Sequence, residues 1–172
     1  MRTVTPLRAL LLALALVTAG CESATAPNEP TWTLSVPLTG LEVIGDCEAR
    51  RGNPGEFAWQ IAIGDTSGAF LDVRETGAFP SAGGAWELSE DRRTYALPYS
   101  LRLNDIPSDR RRQFHITAWA VEWDGAERDG NMTNEHATFP IPNVPSGTAS
   151  ISVGPSSACR LTFGYEWRWT EG

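Results

Sequence analysis

The chain has 172 residues, 41% of them hydrophobic, 9% aromatic and 20% charged, with 16 Gly and 12 Pro. That is about one domain's worth of chain, and the composition excludes a disordered tail, a coiled coil and a polytopic membrane protein. All 14 basic residues are arginine and face 21 acids, for a net charge of −7; such a domain repels phosphate backbones, which argues against a general nucleic-acid binder.

The first segment reads as a leader. Arg2 and Arg8 flank the start of an apolar run, Ala9 to Val17, and the short residues Thr18-Ala19-Gly20 lead directly into Cys21. The run is too short for a permanent membrane span and predicts an export signal. A run that ends in small residues before a cysteine resembles the lipobox of bacterial lipoproteins, with Thr18 where that family prefers Leu. The resemblance implies that residues 1–20 are a lipoprotein signal peptide cut before Cys21. It also implies that the Cys21 thiol takes a diacylglyceryl group and the new amino terminus an acyl chain. The alternative is an ordinary secretory signal with an incidental cysteine. At about 0.8 kcal/mol per buried methylene, one acyl chain binds marginally and several hold the protein on a membrane. The implied location is the bacterial cell envelope, lipid-anchored and facing the periplasm or the exterior. Residues 21–30 are small, polar and Pro-bearing, the composition of a flexible tether. The folded domain is then 31–172.

Beyond the tether the hydrophobic pattern has period two, as half-buried strands require. Trp32, Leu34, Val36 and Leu38 alternate with Thr33, Ser35, Pro37 and Thr39; after Gly40 the parity moves to Leu41 and Val43, which predicts a bulge or kink there. Phe57, Trp59, Ile61 and Ile63 form the next stripe, and Phe70 to Arg74 a shorter one. Tyr95, Leu97, Tyr99, Leu101 and Leu103 alternate around Pro98, a residue of edge strands. Phe114, Ile116, Ala118 and Ala120 face one way, and His115, Thr117, Trp119, Val121 and Trp123 the other. With apolar groups on both faces, this strand is central. Short segments follow at Ala137-Phe139-Ile141 and Ala149-Ile151-Val153, and a long one from Cys159 to Trp169. Seven to nine such strands with Gly/Pro-rich turns predict an all-β, antiparallel two-sheet β-sandwich. Trp123 and Trp169, near strand ends, are the tryptophans expected to be partly exposed.

With Cys21 taken by lipid, Cys47 and Cys159 remain. An exported chain meets an oxidising compartment, so a Cys47–Cys159 disulfide is expected, tying the first loop to the start of the last strand. The entropy model gives a loop of this length about 4–5 kcal/mol as an upper figure. Neither cysteine has a Cys or His neighbour at metal-ligand spacing.

Two acidic clusters follow strand ends: Asp46 to Glu56, and Glu122 to Asn131 with Asp124, Glu127 and Asp129. Carboxylates that converge across Gly-containing turns suit calcium, which takes six to eight oxygens; acids and Gly also decorate ordinary surface turns. Here the chain resembles a C2-like sandwich, whose calcium loops carry an acid after one strand and before the next, and Asp-x-Asp with a further Asp in a later loop. The resemblance implies a calcium set of Asp46, Glu56, Glu122, Asp124 and Asp129, with Glu127 as a substitute. Gly55-Glu56-Phe57 stands where that family has Asp-Pro-Tyr.

The case for catalysis is thin. His115 lies mid-strand, His136 begins a strand, and no Gly-rich phosphate loop opens a helix. Arg110-Arg111-Arg112, close to Asp105 and Asp109, reads as a solvated loop. Asn131-Met132-Thr133 matches a glycosylation sequon that a bacterial lipoprotein does not normally use. The expected function is a non-enzymatic binding or structural module on a membrane, with an unknown protein or glycan partner. One alternative is a calcium-binding C2-like domain. Another is a carbohydrate-binding or glycan-active domain built on Trp123 and Trp169.

Overall fold

The computed structural model describes residues 29–45, 47, 54–77, 79–89, 94–124, 127–155 and 159–172, with backbone alone over 128–134. The segment read as a leader, Cys21, most of the segment read as a tether and Asp46 lie outside these residues. Ten strand segments run through the described chain: β1 (Thr31–Gly45), β2 (Gly55–Asp65), β3 (Phe70–Glu75), β4 (Trp86–Leu88), β5 (Thr94–Tyr95), β6 (Ser100–Pro107), β7 (Phe114–Asp124), β8 (Glu127–Pro140), β9 (Ser146–Val153) and β10 (Cys159–Glu171). One 3-10 turn, Ser108–Arg110, links β6 to β7.

The segments form two antiparallel sheets. One has the order β5-β1-β10-β9, with β6 also paired to β1; the other has the order β3-β2-β7-β8, with β4 also paired to β2. β5 and β6 pair with different stretches of β1, and β3 and β4 with different stretches of β2. The two interrupted edges therefore leave four strand positions in each sheet. The fold is the antiparallel two-sheet sandwich that the alternation requires.

The inner layer follows the stripes. Phe57, Trp59, Ile61 and Ile63 of β2 are fully buried and lie opposite Glu122, Ala120, Ala118 and Ile116 of β7. From the other sheet come Leu34, Val36, Leu38, Leu41 and Val43 of β1 and all six odd-numbered residues from Cys159 to Trp169 of β10. Trp59 sits centrally, with the rings of Trp86, Phe163 and Tyr99 edge-on at 5.2, 5.6 and 5.9 Å. Edge-on contact sets the positive rim of one ring against the negative face of the next.

The parity switch in β1 is a bulge. Leu38 pairs with Tyr165 and Gly40 with Gly164, so Thr39 has no partner of its own on β10. One extra residue turns every later side chain to the opposite face, which returns Leu41 and Val43 to the core. β7 is central, between β2 and β8. The segment around Ala137 proves to be the end of a 14-residue strand, because the hairpin register runs from Asp124↔Glu127 to His115↔Pro140.

The Tyr95–Leu103 alternation lies on a sheet edge, as Pro98 requires. The Leu38 N–H donates to the Tyr99 carbonyl at 2.9 Å between β5 and β6. Further along this edge the Arg102 N–H donates to Asp72 Oδ2 at 2.7 Å. A carboxylate from β3 thus occupies an outward amide of the other sheet.

The strand directions give the sandwich two distinct ends. One gathers the end of β1, the start of β2, the end of β7 and the start of β10. The opposite end gathers the start of β1, the β2–β3 turn, the 3-10 turn, the β8–β9 connection and the carboxyl terminus.

Candidate functional site

The first end holds the covalent link. Gly45 pairs with Cys159, which brings Cys47 to it: the two form a disulfide across 112 residues with Cα atoms 4.5 Å apart. Both cysteines are buried. The bridge joins the exit of β1 to the entry of β10, as the sequence predicts.

The acidic set is divided by the pleat. Glu122 pairs with Phe57, a core residue, and so points between the sheets, where it is fully buried. Glu56 pairs with Trp123 and lies on the outer face. Asp124, two residues beyond Glu122, closes β7 exposed, opposite Glu127. Glu122 and Asp124 belong to β7 and Glu127 to β8, and the register between the two strands shifts between Ala120 and Trp123. Asp129 falls within β8 and its side chain, like Asp46, is outside the described part. Among the described residues no group of three or more His, Cys, Asp or Glu gathers as a metal set. Gly55 is required beside Glu122: a Cβ there would meet the Phe57 ring and stand 3.1 Å from Glu122 Oε1.

The two tryptophans proposed as a sugar platform are far apart. Trp169 is 5% exposed, contrary to expectation, because the chain after β8 folds over it. Its indole Nε1 donates to the Pro142 carbonyl at 3.1 Å and its backbone N–H to that of Pro145 at 2.7 Å. Trp123 is half-buried on the outer face of the other sheet, at the disulfide end. The outer face of β7 and β8 instead carries a row in which Phe70 meets Trp119 edge-on at 4.9 Å and Trp119 stacks with His136 at 6.4 Å. His136 lies mid-strand there, opposite Trp119.

Sequence reasoning missed the opposite end. A cleft of about 340 Å³ opens there, lined by Leu71, Leu103, Ile106 and Phe114 together with Asp65, Arg102, Asn104, Asp105, Arg110 and Gln113. Two residues of β6, Asn104 and Asp105, bulge against Thr33 of β1, with Asp105 at φ 55°. The Asp65 carboxylate accepts bonds from the Ser67 hydroxyl and the Ser67 amide. These bonds, the hydroxyl first, hold it below the ordinary value of 3.8. Arg111 is no solvated loop residue: its guanidinium lies 3.8 Å over the Trp32 ring and 4.9 Å from that of Trp169. The usable signal was the pairing of an aromatic at the start of β1 with one near the end of β10, strands that run antiparallel.

No known family model matches the chain, and no curated protein does. Among solved structures it is similar to a C2 domain of a plant extended synaptotagmin 1, at 7% identity and a TM-score of 0.49, covering 83% of this chain and 97% of that one. It is also similar to a human GIVD cytosolic phospholipase A2, at 11% identity and a TM-score of 0.48, covering 84% of this chain and 18% of that one. The chain therefore spans under a fifth of the phospholipase.

Proposed function

We propose that the chain is an exported lipoprotein of a bacterial envelope, held on a membrane through Cys21, with residues 21–30 as tether and the 31–172 sandwich as a non-enzymatic binding or structural module. The observation that carries this reading is the buried Cys47–Cys159 disulfide. Structural disulfides persist in oxidising compartments and are rare where thiols are kept reduced, so the bridge supports export, and export supports reading residues 1–20 as its signal. Among the described residues no helix is long and apolar enough to cross a membrane, and acylation of Cys21 supplies the attachment. Mass spectrometry of the amino-terminal fragment from cell membranes is the test. The expected species begins at Cys21 and carries acyl chains; a free Cys21 thiol overturns the anchor.

A further inference from the structure

We propose that the sandwich stands on its own membrane with the 3-10 turn inward and the disulfide end facing away, touching the bilayer through Phe70, Leu71, Phe139 and Val144. This rests on the anchor at Cys21. Three observations lead to it. The exposed large hydrophobics of the described chain are these four, 45 to 49% accessible. All four lie at one end: Phe70 and Leu71 open β3, Phe139 nearly closes β8, and Val144 follows it. That is also the end where the tether enters, since Thr31 pairs with Pro107 and the Ser108 hydroxyl donates to the Pro30 carbonyl at 3.0 Å.

The reach of the tether then excludes the reverse orientation. Nine residue steps separate Cys21 from Pro30, so at about 3.3–3.6 Å per step the chain extends roughly 30 Å at most. β1 alone has 15 residues, about 45–50 Å at the rise of a strand. If the disulfide end faced the bilayer, Pro30 would stand farther from the surface than its tether allows. Charge does not decide the matter, because Arg110 shares its cleft with Asp65 and Asp105. Apolar contact does. Four half-exposed side chains make a weak surface for a protein in solution, but anchoring has already confined the domain beside the bilayer, and weak contacts then suffice to orient it.

The test uses the full lipidated protein in nanodiscs of phosphatidylethanolamine and phosphatidylglycerol doped with a headgroup-nitroxide lipid. Amide signals are compared before and after ascorbate reduces the nitroxide. The amides of Phe70, Leu71, Phe139 and Val144 are expected to lose most of their intensity to the radical, while Trp86, Leu88 and Trp123 keep theirs. The double variant Leu71→Ser, Val144→Ser alters exposed positions and leaves the Phe70–Trp119 contact in place, and it should lessen the broadening at the rim while the protein stays on the disc. Equal broadening at both ends overturns the proposal, as does an unbroadened rim, which would leave these residues to a protein partner. An unmodified Cys21 in the mass spectrum overturns the anchor instead, so the two failures are distinct.

Discussion

Asp65 shows how a carboxylate at the surface can be tuned by its own turn. The Asp65 carbonyl accepts from the Gly68 N–H at 3.0 Å and its side chain accepts from Ser67, so the carboxylate closes the β2–β3 turn. Its folded titration lies below 3.8. Its contribution to stability is therefore complete above 3.8 and is lost as pH falls through the lower folded value. Ser67→Ala should move the Asp65 titration, followed by carboxyl NMR, back up toward 3.8; a titration left where it was would show that the Ser67 hydroxyl is not the cause. Arg111 offers a second case. Its charge lies against two indole faces, an attraction of about 0.5–2 kcal/mol according to desolvation. Arg111→Ala should lower unfolding stability in urea by about that amount, and Arg110→Ala, an exposed position, by much less.

At the scale of single elements, β1 depends on one unpaired residue. Deleting Thr39 alone would remove the bulge and leave Leu34, Val36, Leu38, Leu41 and Val43 on one face in plain alternation, whereas deleting Gly40 with it would turn Leu41 and Val43 to the outer face, or Leu34, Val36 and Leu38 if the other half slipped. The expected result of the double deletion is a chain without a cooperative thermal transition, whereas Thr39→Ser should melt close to the parent. Gly147 of β9 is bound to its partner in a different way. It pairs with Trp167, and a Cβ would collide with the indole Cη2 and Cζ2. Gly147→Ala is therefore expected to cost about 1–3 kcal/mol by overpacking, measured by urea denaturation. Both elements were legible to different degrees. The parity change around Gly40 is visible in the order of residues. The seat of an indole on Gly147 depends on which strand lies alongside, and strand order is not a local property.

For the molecule as a whole, the disulfide is the principal covalent constraint. Cys47→Ser with Cys159→Ser should lower stability by about 4–5 kcal/mol at most, read from denaturation with and without reductant; an unchanged midpoint would mean that the bridge does not constrain the unfolded chain. The sandwich and this bridge were legible because alternation and a remaining pair of cysteines each have few solutions. The acidic set was less so. Spacing along the chain brings Glu56 and Glu122 to the same end, but only the Phe57↔Glu122 register reveals that one is outside and the other inside. Trp169 was misjudged for a related reason: Pro142 and Pro145, which cover it, belong to a connection whose path the local pattern does not specify.

Asp72 has a consequence for how copies of this protein coexist. It holds the Arg102 amide and the Arg74 guanidinium together, and so fills a place on the sheet margin where a neighbour's carbonyl could dock. When many copies crowd side by side, a stranger's ribbon must first evict a carboxylate tied to its own arginine. Edge-to-edge pairing through that one amide is thereby opposed.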